Sequence, residues 1–230
     1  MYFQHSSDIW NDFPELVPGA LFVEGITGQA DVSAQVERYT AIATARLAET
    51  TEGEMPEIQA WRRAFSRMGL KPTQYRCASE SLLRRLRKER ALPQIHPLID
   101  LCNAISVAFA VPVAAFDVSR LAEYVEVRYA VGDERYLTFS NEVERPYPHE
   151  VIFADAAQRA HARRWSNRQS GYSAIRETTS AALIVAEAMH DTTRADIPRL
   201  LETLSAELHT AWATNPTSAL LSQSKPRFTF

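Results

Sequence analysis

The chain has 230 residues, 46% of them apolar and 23% charged, with a net charge of −3 at pH 7. That size and composition support a sizeable core and exclude a disordered or staple-dependent chain. The slightly acidic balance excludes bulk electrostatic binding of nucleic acid, so any basic surface must be local.

Chain order then supplies the elements. "MYFQHSS" leads into a first element and is read as native. "GALFVEGI" (19–26) is β-branched and aromatic and predicts a buried strand. Residues 31–49 carry apolar positions at helical spacing, with Asp31 as N-cap. A second helix spans 55–70: Pro56 opens it, Ile58, Trp61, Phe65 and Met68 form its stripe, and Gly69 closes it. A third, 77–92, sets Leu82, Leu83 and Leu86 against a basic face of Arg84, Arg85, Arg87, Lys88 and Arg90. A fourth, 96–111, is apolar nearly all round and predicts deep burial.

The alternating runs 124–131, 134–139, 150–155 and 179–189 predict strands, and 193–212 predicts a closing helix. "SKPRFTF" at the end has no assignment. Helices, then strands, then a helix give an α+β fold with a mixed or largely antiparallel sheet.

Three features could carry chemistry. Asp100, Asn103 and Ser106 fall at i, i+3 and i+6, on roughly one face of an apolar helix, where buried polar groups need partners. They form either an internal network or a pocket wall. "RRWSNRQSG" (163–171) packs three arginines, an indole and two amides into a short stretch. It is either a basic loop anchored by Trp165 or a set of directional donors for phosphate or carboxylate. The basic helix face is either solvated or tracks an RNA backbone.

Other motifs are missing. The six histidines have no ligand spacing, and neither a glycine-rich phosphate loop nor a nucleophile-elbow motif occurs. Cys77 and Cys102 read as buried free thiols. No run of about 18 apolar residues or basic-then-apolar leader is present, which predicts a cytoplasmic protein.

Four segments in order, "IQAWRRAFSRMGLKPTQYRCASESLLRRL", "LPQIHPLIDLCNAISVAFAVPVAAFDVSRL", "VEVRYAVGDERY" and "EVIFADAAQRAHARRWSNRQS", resemble the B3/B4 module of the phenylalanyl-tRNA synthetase beta subunit. They are closer still to free-standing bacterial proteins made of that module. The resemblance covers roughly residues 8–190. It implies a single B3/B4-like α+β domain over 1–230, with a central pocket between helix and sheet. In the synthetase this module hydrolyses tyrosine wrongly esterified to the phenylalanine tRNA. The implied function is therefore an RNA-binding, trans-acting aminoacyl-tRNA deacylase. It is not a complete synthetase, for which the chain is too short.

Two departures stand out. Ala114 replaces a histidine of the synthetase's pocket, and the continuation after Asn103 differs. Both imply a different amino-acid ligand.

Ester hydrolysis at a tRNA 3′ end needs positioning and oxyanion donors more than acid–base groups. The expected catalytic residues are Asn103 and Ser106. Ala114, Glu150, Arg164, Arg168 and Gln169 are expected to bind substrate, with Glu150 paired to an arginine or to the substrate ammonium. Arg84, Arg85, Lys88, Arg163 and Trp165 are expected to face RNA, although Trp165 also suits the core. The stretch 163–171 is read as the strand that lines the pocket opposite the 96–111 helix; if it is regular, alternation splits this set between two faces. The expected partners are an aminoacyl-tRNA and a small amino-acid ligand, with no cofactor, membrane or DNA. The alternatives are a non-catalytic module binding an amino acid, nucleotide or tRNA end, and a small-metabolite hydrolase.

Overall fold

A computed structural model describes all residues, Met1–Phe230. The elements run β1 (Tyr2–His5), α1 (Ser7–Asp12), β2 (Val17–Glu24), α2 (Ser33–Glu49), α3 (Pro56–Arg67), α4 (Ala78–Glu89), α5 (Pro97–Phe109), β3 (Val113–Asp117), β4 (Tyr124–Tyr129), β5 (Arg135–Leu137), β6 (Val143–Glu144), β7 (Val151–Ala154), β8 (Arg159–Arg163), β9 (Arg168–Gln169), β10 (Ala181–Ala188), α6 (Thr193–Trp212), β11 (Thr217–Leu220) and β12 (Arg227–Thr229).

The fold is α+β, as expected, but it has two sheets. One runs β12-β1-β4-β7-β8-β5-β6, with β9 also paired to β8; the other runs β11-β2-β10-β3. The first is mixed, because β1 lies parallel to β4 and β5 parallel to β8. The second is antiparallel throughout.

β10 explains why its sequence is apolar in nearly every position. Leu183 and Val185 enter the larger core with Phe3, Val127 and Phe153 of the first sheet, while Ala182, Ile184 and Ala186 face the other way, onto α5 and α6. A strand buried on both faces cannot alternate with polar residues. Phe116 and Phe153 meet between the sheets at 5.4 Å. Glu187 continues the Leu183/Val185 parity, so its side chain points into the inter-sheet space.

Helix ends follow local chemistry. Pro56 and Pro97 open α3 and α5, and His96 Nδ1 accepts the Leu98 N–H at 3.1 Å. α2 starts two residues later than expected: Asp31 does not cap it but accepts the N–H and hydroxyl of Ser33. The unassigned tail forms β12, which pairs with β1 through Phe228 opposite Phe3. The terminal strands thus clasp each other at the edge of the first sheet.

Candidate functional site

The stretch 163–171 is not one strand. β8 ends at Arg163, and β9 returns beside it with Ala162 opposite Gln169 and Arg163 opposite Arg168. The residues between form a turn in which Arg164 (φ 47°) and Trp165 (φ 58°) are both left-handed. Such a backbone costs roughly 1–3 kcal/mol per non-glycine residue and persists only where its surroundings enforce it.

Several bonds do so here. The Glu150 carboxylate accepts the Arg164 N–H at 3.0 Å, and the Val151 carbonyl accepts the Trp165 N–H at 2.7 Å. Ser166 O accepts the Ala78 N–H at 2.8 Å, and Asn167 Nδ2 donates to Arg76 O at 2.7 Å, tying the turn to the start of α4. The Trp165 ring is 0% exposed and sits edge-on to Phe13 and Trp61.

This turn walls a cleft of about 70 Å³. β3 contributes Val113 and Ala114, α4 contributes Ala78, and β10 contributes Val185 and Glu187. Because the chain turns, consecutive residues Trp165, Ser166, Asn167, Arg168 and Gln169 all line it, which a regular strand forbids.

The polar lining is specific. Glu187 is 4% exposed, with its carboxylate 2.7 Å from His5 Nε2 and 3.0 Å from Trp165 Nε1 through each oxygen. The Ser166 hydroxyl is buried and has no hydrogen-bond partner. The Arg168 side chain is 40% exposed, with its guanidinium 3.2 Å from Glu144 and over the Tyr136 ring.

Of the residues expected to bind substrate, Ala114, Arg168 and Gln169 line the cleft together. Gln169 donates through Nε2 to Ala115 O at 2.6 Å and keeps its side-chain carbonyl free for the cleft. Asn103 and Ser106 do not line it. Their helix, α5, stops short of it and only the following Pro112–Ala114 segment enters. The Ser106 hydroxyl donates to Val111 O at 2.6 Å and closes the helix end.

Glu150 does pair with an arginine, but with Arg163, which donates to it twice at 2.8 Å and reaches Glu144 at 2.5 Å. Arg163 is 3% exposed, so it is not an RNA-facing residue. Burial alone would raise the Glu150 carboxyl; the Arg163 bonds outweigh it and hold this acid below its ordinary range. Trp165 is likewise a core residue rather than a base-stacking one.

Arg164 lies outside the cleft lining, its guanidinium 4.7 Å from the Tyr75 ring centroid and in no ion pair. On α4, Arg84 and Arg87 pair with buried Glu52, Arg85 pairs with Glu89, and Lys88 is exposed. Glu80 instead takes Arg62 and Arg76.

Glu187 and His5 escaped sequence reasoning. The available signal was a single acid in an otherwise apolar run, "ALIVAEA", since a charge in a doubly buried strand needs a partner. His5 carried no signal, because a long-range contact brings it in.

A serine–histidine–aspartate set does assemble: His161 lies 2.9 Å from Ser173 Oγ and 3.0 Å from Asp155. All three are buried, and Asp155 also accepts Arg159 and the N–H groups of Ala122, Ala157 and Arg159. A saturated, enclosed set of this kind braces the β7–β8 turn and gives no substrate access to the hydroxyl. No three His, Cys, Asp or Glu side chains converge as metal ligands, and no helix is long and apolar enough to cross a membrane.

Wider grooves of about 360 and 400 Å³ lie elsewhere. In the first, Asp31 and Asp100 are already engaged with the N–H groups of Ser33 and Ile95; the second is mainly apolar, around Trp10, Leu16 and Leu221. The first is polar as well, but neither groove holds a buried carboxylate, as the small cleft does in Glu187.

Residues 60–207, which include every residue that lines the cleft, match the family model described as B3/4 domain. The chain belongs to the B3/4 domain family. Over 60 residues this B3/4 protein is 43% identical to the phenylalanine–tRNA ligase beta subunit of Coxiella burnetii (strain RSA 493 / Nine Mile phase I), a stretch covering 26% of this chain and 7% of that subunit. A solved N-terminal fragment of the phenylalanyl-tRNA synthetase beta subunit from Pyrococcus horikoshii aligns with 96% of this chain and 54% of its own, at 7% identity and a TM-score of 0.48. The B3/4 protein thus spans a small part of the ligase subunit it matches and about half of the solved fragment.

Proposed function

We propose that this B3/4 protein is a tRNA-editing-type domain that binds the aminoacyl end of a charged tRNA in the 162–169 cleft and hydrolyses the ester of a mischarged one. The observation that carries this reading is the cleft itself, in which Ser166, Asn167, Arg168, Gln169 and Glu187 converge within the matched family region. The similarity to a phenylalanine–tRNA ligase beta subunit supports the choice of tRNA as carrier. The protein is cytoplasmic in this reading and acts as one domain.

The aminoacyl ester is already activated, and the neighbouring ribose hydroxyl can assist attack. The protein must hold the acyl group, admit a water and offer donors to the developing oxyanion. The Ser166 hydroxyl and the Asn167 amide are the donors closest to hand. Ala114 leaves the β3 wall small and neutral, which suits an amino acid other than the one the synthetase module removes. Arg168 at the rim and unpaired Arg164 beside Tyr75 supply cations for the terminal phosphates. Arg84, Arg85 and Lys88 extend this as a weaker backbone contact along α4.

The deciding experiment mixes the protein with tRNAs carrying matched and mismatched radiolabelled amino acids, beside Ser166→Ala and Arg168→Ala variants. Rapid release from one mischarged pair, slowed in both variants, is expected. No release from any pair by folded protein overturns the hydrolase and leaves a non-catalytic binding module.

A further inference from the structure

The floor of the cleft is a carboxylate with acceptor capacity to spare. Glu187 takes part in three hydrogen bonds, two on Oε1 and one on Oε2, whereas a carboxylate offers about four acceptor positions. The unused position is on Oε2. A buried carboxylate is stable only where donors or cations answer it. No lysine or arginine reaches Glu187; its one ion-pair partner is His5, 2.7 Å away. The adjacent Ser166 hydroxyl, also without a partner, adds a second acceptor on the same wall. A compact cation with several N–H donors matches both.

We propose that Glu187, fixed by His5 and Trp165, is the ammonium-binding group of the cleft, so that the site selects ligands carrying a primary amine. This deepens the aminoacyl reading given above and rests on it. The α-ammonium of an esterified amino acid is the group it grips.

His5 is a positioning residue here. It lies on β1, outside the matched region 60–207, and β1 is held in place by the C-terminal strand β12. The floor of the site is therefore completed by a strand that the B3/4 match does not include.

The test is calorimetric titration of the full chain with L-phenylalaninamide and L-alaninamide, each beside its desamino counterpart, phenylpropanamide or propanamide. At least one amine-bearing amide is expected to bind about tenfold or more tighter than its counterpart, the scale of one charge-assisted hydrogen bond. Glu187→Gln should abolish that preference. His5→Gln, which keeps a donor near Nε2, should retain it, and His5→Leu should weaken it by about tenfold.

Equal binding with and without the amine, or no binding of either amide, overturns the proposal. Should the His5→Leu protein not fold, the wild-type comparison still decides. A failed deacylation panel with intact amine preference removes the hydrolase and keeps the ammonium site; hydrolysis without amine preference does the reverse.

Discussion

Trp165 Nε1 lies 3.0 Å from both carboxylate oxygens of Glu187, so an indole 0% exposed and the one acid of β10 fix each other at the cleft floor. Trp165→Phe keeps most of the packing but removes that donor. It is expected to cost about 1–3 kcal/mol and to loosen Glu187. Trp165→Ala, which also empties the contact with Phe13 and Trp61, should cost about 3–5 kcal/mol. Urea unfolding of the two variants separates the terms.

Arg163 and Arg168 stand opposite each other in the β8–β9 ladder and should behave differently. Arg163→Met leaves buried Glu150 without its two bonds and should destabilise the fold by about 3–5 kcal/mol. Arg168→Ala removes an exposed pair and should change stability by no more than about 1 kcal/mol, while slowing release from charged tRNA. The measurement is denaturant midpoint beside deacylation rate for each variant.

The acids of the first sheet predict acid lability. Burial raises Asp155, but the His161 and Arg159 hydrogen bonds win and hold its carboxyl well below the ordinary range, as those of Arg163 do for Glu150. For groups depressed in the folded state, stability is fully present above their unfolded values, near pH 4, and is lost as pH falls toward the folded ones. Unfolding free energy measured between pH 7 and pH 3 should drop steeply below about pH 4.5. Asp155→Asn should flatten part of that slope and lower stability at pH 7 as well, since it removes the charge that answers Arg159.

On α4, Arg85→Glu with Lys88→Glu should weaken tRNA binding about equally for all tRNAs. It should also lower the salt dependence of log Kd by about 1 for each phosphate no longer neutralised. The rate of release at saturating tRNA should not change. Filter binding across a salt series reads the first effect. Unchanged affinity would confine RNA binding to Arg164 and Arg168.

Much of the fold was legible in the chain. The stripe of α3, the proline openings of α3 and α5, and the 193–212 helix follow from short-range rules that act within a turn or two. β10 was legible as a strand, but its burial on both faces was not, because that depends on the sheet and helices that cover it. The pairing of its neighbours into two sheets was not legible either, because register and sheet membership depend on residues far apart. β1 and β12 show the same limit: each is too short to read alone, and β12 is a strand because β1, itself paired with β4, lies beside it.

The candidate site divides the same way. Residue types and order in 163–171 marked a polar, arginine-rich stretch, the family resemblance singled out Ala114, and the mechanism fitted to it set Asn103, Ser106, Glu150, Arg164, Arg168 and Gln169 around one pocket. Only the tertiary structure decided which groups remain free for a ligand. It buries Arg163 against Glu150 and Trp165 against Phe13 and Trp61, it turns the chain at two left-handed residues, and it draws Ser106 into the end of α5. It also brings His5 to Glu187 across the two sheets. Local propensity and apolar period are written in the sequence, whereas the pairing of buried polar groups is settled by which surfaces meet when the core closes.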